Sequence, residues 1–111
     1  MLKAVTRDSI RAALQSGQWA MTHHARERAG QRCISDAELV PALINGELLE
    51  VRPKYPGGPR GLVLGYTDDG RPVHVSCTFD PGGDLVIVTA YVPEPPYWLD
   101  ERTRGLKEPP K

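Results

Sequence analysis

Apolar residues in the first half of the chain recur at the spacing of amphipathic helices. The residues three and four positions after Ile10 are Ala13 and Leu14, so the three side chains share one face of a helix. Ser35 and Glu38 form a capping box, the residue pair that marks the first turn of a helix. These signals predict helices over residues 7–16, 22–31 and 36–45.

The second half of the chain alternates with the period of β-strands. Val73, Val75 and Cys77 are separated by polar residues, so they share one face of a strand. Residues 85–92 are apolar on both faces, which is typical of a strand inside a sheet. Turn residues separate the strands, which are predicted over residues 48–51, 61–66, 72–79 and 85–92.

Helices followed by strands predict one α+β domain, in which the N-terminal helices pack on a roughly four-stranded antiparallel meander. Residues 18–21, between the first two helices, are predicted to be a short extended link. The compact domain is expected to cover residues 1–98. Residues 99–111 are charged and contain proline, which is typical of a frayed C-terminal tail.

Composition narrows the class of protein. Hydrophobic residues make up 40% of the chain and charged residues 25%, which suits a globular domain. No apolar run is long enough to span a membrane and the first residues lack the apolar centre of a signal peptide, so a cytoplasmic location is expected. Cys33 and Cys77 belong to no pair spaced for a metal. They are expected to be free thiols, and no metal or cofactor is predicted.

The net charge of zero conceals an uneven distribution of charged side chains. Residues 1–32 hold six basic and two acidic side chains, whereas residues 33–50 hold four acidic and no basic ones. A protein that coats nucleic acid without sequence preference would be basic throughout. This chain can instead contact phosphate groups through one local patch.

One side of the second predicted helix carries the groups best suited to bind an anion. His24, Arg28 and Arg32 are spaced four residues apart and therefore form a stripe along the helix. Thr22 can cap this helix, which places His23 and His24 in the first turn, where free N–H groups and the helix dipole attract anions. A phosphate site and a solvated basic face, balanced by the acidic third helix, both fit this pattern.

The predicted strands add three candidate site residues. His74 lies among apolar residues in the middle of a strand, where an imidazole can be structural or catalytic. Thr89 and Tyr91 share one face of the last strand. The Tyr91 phenol could donate a hydrogen bond to a phosphate oxygen or to a histidine, or could simply pack with its hydroxyl at the edge.

The segment around the basic stripe resembles the signature of a small bacterial domain family. Members of that family often read T-x-H-A-x-x-R-M-x-x-R-G-I-S, and this chain reads Thr22-x-His24-Ala25-x-x-Arg28-x-x-x-Arg32-x-Ile34-Ser35. The resemblance extends over residues 8–98 through weaker motifs in the strands. Two positions depart from it, because Ala29 replaces the family's methionine and Cys33 replaces its glycine at the end of the helix.

The resemblance implies a toxin of a type II toxin–antitoxin pair. The family is commonly encoded beside a small zinc-finger antitoxin, and it is similar to RelE and BrnT, which are compact α+β ribonuclease toxins. The implied activity is metal-independent cleavage of messenger RNA by general acid–base catalysis. The implied partner is a cognate antitoxin of the zinc-finger or another DNA-binding type.

The candidate residues fit the chemistry that the resemblance implies. His24 would act as base or acid, and Arg28 and Arg32 would hold the phosphate. His74 or Tyr91 would be the partner acid. Further substrate contacts are expected from Arg60, Thr89 and His23.

Two other functions fit the same residues. The chain could be a toxin that binds a protein target without cleaving RNA, as the related ParE toxins do, or a small regulatory protein. In the first of these the two arginines of the stripe would form a protein contact. Cleavage of RNA without added metal would distinguish the ribonuclease from the toxin that only binds a protein.

Overall fold

The computed structural model describes residues 3–56 and 58–105, which contain three helices and five strands. The helices are α1 (Arg7–Ser16), α2 (His23–Gln31) and α3 (Asp36–Ile44), and the strands are β1 (Trp19–Met21), β2 (Glu47–Arg52), β3 (Arg60–Tyr66), β4 (Pro72–Phe79) and β5 (Leu85–Tyr91). The predicted α+β class is confirmed, and all three helices lie within one residue of their predicted bounds. No helix in this part of the chain has the length and apolar character needed to cross a membrane.

Side-chain caps explain why the helices begin where they do. The backbone N–H of Ala25 donates to the Thr22 hydroxyl at 3.0 Å, so Thr22 caps α2 as predicted. At the start of α3, the backbone N–H of Glu38 donates to the Ser35 hydroxyl at 3.2 Å. The Glu38 carboxylate in turn accepts from the backbone N–H of Ser35 at 3.5 Å, which completes the capping box.

The predicted four-stranded antiparallel meander is wrong in one respect, because the sheet has five strands and is mixed. Its order is β1-β5-β4-β3-β2, and β1 pairs with β5 in parallel. The predicted link at residues 18–21 therefore contains an edge strand. A strand of three residues is too short for alternation to reveal it. Because β1 lies at the edge of the sheet, β5 is an interior strand, as the apolar character of residues 85–92 predicts.

The main core lies between the helices and one face of the sheet. Val73, Val75 and Cys77 of β4 point into it, as their alternation predicts. Burial raises the pKa of the Cys77 thiol to about 12, so this free cysteine stays protonated. On the neighbouring strand, a side chain at Gly65 would place its Cβ 2.6 Å from the Ala42 carbonyl oxygen. Glycine at this position therefore lets α3 pack directly against β3.

The opposite face of the sheet is covered by residues 93–105, called here the C-terminal segment. Trp98 is only 1% exposed, and its ring packs on His74 with a centroid distance of 4.3 Å. Arg104 donates two hydrogen bonds to the carboxylate of Glu50, at 2.9 and 2.6 Å. This arrangement differs from the predicted frayed tail over residues 99–105, because Trp98 and Arg104 anchor the chain to the sheet. Residues 106–111 lie outside the described residues.

The end of α2 carries a strained residue, which leads to a prediction about stability. Cys33 is exposed and has a φ of 56°, in the left-handed region that favours glycine. We expect Cys33→Gly to raise the free energy of unfolding by about 0.5–1 kcal/mol. Urea unfolding measures the change. Cys33→Ala is the control, since alanine keeps the strain; an equal gain in both variants would contradict the prediction.

Candidate functional site

A cavity of about 110 Å³ opens between α2, the end of β5 and the C-terminal segment. Its volume is sufficient for several water molecules or for a group the size of a phosphate. Five of the residues singled out in the sequence line it together. The complete lining is His24, Arg28, Arg32, Thr89, Tyr91, Val92, Glu94, Pro95, Tyr97 and Trp98.

The start of α2 is fixed to β5, which aims the basic stripe at this cavity. The Thr22 backbone N–H donates to the Ile87 carbonyl at 3.0 Å, and the Thr22 hydroxyl donates to the Val88 carbonyl at 2.9 Å. Ala25 and Ala29 are buried in the main core, and their small side chains let α2 lie close to β5. The neighbouring side of the helix, which carries the stripe, therefore borders the cavity.

The cavity wall carries an excess of positive charge. Arg28 is half-buried, and within the described ranges no carboxylate lies at ion-pair distance from it. Arg32 is more exposed and lies 3.8 Å from the Glu94 carboxylate. Its backbone carbonyl accepts a hydrogen bond from the Arg71 guanidinium at 2.8 Å, which fixes the end of α2. Two guanidinium groups facing one carboxylate suit an anionic guest.

Behind the cavity wall, His74 is completely buried and its ring is bonded on both sides. Its Nε2 lies 2.7 Å from the Glu101 carbonyl oxygen, and its Nδ1 lies 3.2 Å from the Tyr91 hydroxyl. The Trp98 indole N–H donates to the same Tyr91 oxygen at 3.2 Å. Burial lowers the pKa of His74 below 6.5, against the opposing effects of the Glu101 carbonyl and the Glu50 carboxylate. Burial also raises the pKa of Tyr91 above 10.0, so the phenol stays protonated.

Three of the sequence-predicted residues lie away from the cavity. His23 is exposed, and its ring lies 3.6 Å from the Glu27 carboxylate. Arg60 lies over the ring of Tyr55, with its guanidinium 4.4 Å from the ring centroid. His74 does not line the cavity, but it is hydrogen-bonded to Tyr91, which does. The structure therefore brings together His24, Arg28, Arg32, Thr89 and Tyr91, and it does not bring His23 or Arg60 to them.

The sequence reasoning missed the wall that the C-terminal segment contributes. Four of its residues line the cavity, which are Glu94, Pro95, Tyr97 and Trp98. The prediction extended the compact domain to residue 98 but named no site residue after Tyr91. A weak signal was present, because a tryptophan buried on a sheet needs an acceptor for its N–H, and Tyr91 is a polar residue near in sequence.

The burial of His74 predicts how stability depends on pH. The pKa of this imidazole is near 6.5 in the unfolded chain and lower in the folded protein. Between these two pKa values the unfolded state therefore binds a proton more readily than the folded state. We expect the free energy of unfolding to be fully retained above pH 6.5 and to fall as the pH drops toward the lowered pKa. Urea unfolding at a series of pH values measures this slope.

His74→Gln is the control for this pH dependence, because the amide can keep both hydrogen bonds but does not titrate. The variant should show a flatter profile between pH 6.5 and about 5, above the range in which most carboxylates titrate. Equal slopes for the two proteins would show that His74 is not responsible.

Possible metal ligands do not gather anywhere in the described ranges, where no group of three or more histidine, cysteine, aspartate or glutamate side chains could hold an ion.

Comparison with known proteins gives a family and no closer relative. No curated protein and no solved structure matches the chain. The family described as "Domain of unknown function (DUF4258)" matches residues 21–92, which run from the end of β1 to just beyond β5. This stretch is more than half of the chain and includes α2 and Tyr91, whereas the C-terminal segment lies outside it. The chain belongs to the DUF4258 family.

Proposed function

We propose that this protein is the toxin of a type II toxin–antitoxin pair and that it cleaves messenger RNA. The observation that carries the proposal is the cavity, which gathers two arginines, one histidine and one tyrosine around a space of phosphate size. Arg28 supports it most directly, since a half-buried guanidinium with no carboxylate at ion-pair distance among residues 3–56 and 58–105 suits a bound phosphodiester.

The proposed reaction is the attack of a ribose 2′-oxygen on the adjacent phosphorus. A bond forms between the 2′-oxygen and phosphorus, and the bond from phosphorus to the 5′-oxygen breaks. The 2′-hydroxyl loses a proton, and the leaving 5′-oxygen gains one. The products are a 2′,3′-cyclic phosphate and a 5′-hydroxyl, so the step consumes neither water nor a cofactor.

The residues of the cavity can supply what this reaction needs. Arg28 and Arg32 would stabilise the negative charge that builds on the phosphate oxygens in the transition state. His24 on α2 and Tyr91 on β5 come from different elements and can serve the two proton transfers, each of which contributes about 10²–10⁴-fold in rate. Thr89 lies beside Tyr91 and offers a hydroxyl to the substrate.

Incubation of the purified protein with RNA in excess chelator tests the activity. We expect fragments that end in a 2′,3′-cyclic phosphate and begin with a 5′-hydroxyl, and no cleavage of DNA of the same sequence. A His24→Ala preparation purified in the same way controls for contaminating nucleases. Inhibition of growth without any RNA cleavage would contradict the ribonuclease and indicate a protein target.

We further propose that the cognate antitoxin neutralises the protein by covering the mouth of the cavity. The basic charge of residues 1–32 favours a partner that presents acidic side chains there. Coexpression with the neighbouring gene product, followed by a structure of the complex, tests this arrangement. A complex that abolishes activity but leaves the cavity open would contradict it.

A further inference from the structure

We infer that Tyr91 and His74 together accept the proton of the substrate's 2′-hydroxyl, which leaves His24 to protonate the 5′-oxygen. This inference deepens the proposed function by assigning the two proton transfers. It also predicts that the cavity prefers a ribose over a 2′-deoxyribose next to a bound phosphate. It rests on the directions of three hydrogen bonds.

The first of these bonds fixes the tautomer of His74. The Glu101 carbonyl oxygen can only accept, so Nε2 of His74 must carry the hydrogen of this 2.7 Å contact. A neutral imidazole has a single N–H, and therefore Nδ1 has a free lone pair. Since this nitrogen lies 3.2 Å from the Tyr91 hydroxyl, it accepts a hydrogen bond from that hydroxyl.

The other two bonds fix the role of the Tyr91 oxygen. The Tyr91 hydroxyl donates a hydrogen bond to His74, and the Trp98 indole N–H donates a hydrogen bond to the Tyr91 oxygen. Tyr91 therefore has no proton left for a ligand and can only accept a hydrogen bond from one. This geometry argues against Tyr91 as the acid that protonates the leaving group, and it favours a role as acceptor.

A ribose 2′-hydroxyl is the donor that matches this acceptor. The 2′-hydroxyl of a nucleotide lies beside its 3′-phosphate, and Tyr91 lines the same small cavity as Arg28 and Arg32. With the phosphate on the arginines, the adjacent hydroxyl can donate to Tyr91. A 2′-deoxyribose or a 2′-O-methyl ribose offers no proton at that position.

The proton transfers then balance along a short path. As the 2′-oxygen attacks phosphorus, its proton passes to the Tyr91 oxygen and the Tyr91 proton passes to Nδ1 of His74. The resulting positive imidazole keeps its Nε2–H on the Glu101 carbonyl. A protonated His24 gives its proton to the 5′-oxygen. His74 later returns its proton through Tyr91 to solvent and His24 takes up one proton from solvent, which restores all three groups.

Binding of nucleoside 3′-monophosphates tests the acceptor role, because these molecules have no 5′-leaving group and cannot be cleaved. Nuclear magnetic resonance titrations compare the ribose and 2′-deoxyribose forms of all four bases. We expect the wild type to bind the ribose forms about tenfold more tightly, the effect of one hydrogen bond. Tyr91→Phe should lose this preference yet bind inorganic phosphate as the wild type does.

Tyr66→Phe is the matched control for the tyrosine. Its hydroxyl contacts Glu101 of the same C-terminal segment at 3.4 Å but does not line the cavity. This variant should keep the full ribose preference. An unchanged preference in Tyr91→Phe, or binding of neither nucleotide at millimolar concentration, would overturn the inference.

Two substitutions of His74 separate orientation from proton transfer. His74→Gln can donate to the Glu101 carbonyl and accept from Tyr91, so it should keep the ribose preference and the melting temperature. It cannot take up a proton, and RNA cleavage should fall by about 10²-fold or more. His74→Leu should lose both the preference and the cleavage. Cleavage by His74→Gln at the wild-type rate would overturn the proton transfer.

These results also distinguish this inference from the proposed function. If the wild type leaves RNA intact but Tyr91→Phe abolishes a ribose preference, the proposed ribonuclease activity and the proton transfer are both wrong. The role of Tyr91 as a hydrogen-bond acceptor for the ribose is then still supported. If RNA is cleaved and Tyr91→Phe keeps both the cleavage and the preference, the proposed function stands and this inference is wrong.

Discussion

His24→Ala is expected to lower the rate of the proposed RNA cleavage by about 10²-fold or more, because it removes the group that we propose to protonate the leaving 5′-oxygen. Arg28→Lys should also lose most of the activity. Lysine keeps the charge but lacks the planar fork with which a guanidinium binds two phosphate oxygens at once. Neither side chain is in the main core, so both variants should melt close to the wild-type temperature. Rates on a fixed RNA substrate and thermal melting curves measure the two effects.

Arg26→Ala is the matched control for these two substitutions. Arg26 belongs to the same helix, but its side chain is exposed and pairs with Asp36 at 3.5 Å outside the cavity. Its removal should change the activity little, because the side chain does not line the cavity. It should also change the stability little, since an exposed ion pair contributes about 0–1 kcal/mol. If all three variants were equally and mildly affected, the stripe would be only a solvated basic face. If His24→Ala lowered the melting temperature first, His24 would be a structural residue.

Trp98→Ala is expected to cause the largest loss of stability, about 3–5 kcal/mol in the free energy of unfolding. The indole is fully buried, its ring packs edge-on against His74, and Arg104 lies 4.8 Å from the ring centroid. Typical domains have about 5–15 kcal/mol in total, so the loss would be a large share of it. Urea unfolding followed by far-ultraviolet circular dichroism measures it without relying on tryptophan fluorescence.

Leu99→Ala provides the comparison for this large effect. Leu99 is the next residue along the chain, but it is 65% exposed, and its substitution should change the stability by less than about 0.5 kcal/mol. Similar losses in the two variants would show that the C-terminal segment contributes through its backbone and not through the buried indole.

The parts of the fold that were predicted correctly depend on signals between residues close in sequence. Thr22 and Ser35 mark helix starts because each hydroxyl caps a backbone N–H three residues away. His24 and Arg28 share a helix face because of helical periodicity alone. These local rules placed the three helices, four of the strands and the basic stripe.

The features that could not be predicted depend on contacts between distant residues. Nothing within residues 19–21 shows that they pair with β5, since the partner strand is needed to recognise the pairing. The position of Glu101 beside His74 likewise depends on the path of the C-terminal segment across the sheet. The charge and proline content of that segment are typical of a tail, and its anchoring at Arg104 and Trp98 is a tertiary effect.

The parallel pairing of β1 with β5 has a consequence for the order of folding. Trp19 pairs with Leu85, so the strand that leads into α2 finds its neighbour only after residues 85–87 have been synthesised. Contacts between such distant residues slow folding, because a long loop must close before they can form. Without β5 the Thr22 hydrogen bonds that fix the start of α2 have no acceptors, so the cavity beside His24 and Arg28 can form only after residues 85–91 have been synthesised.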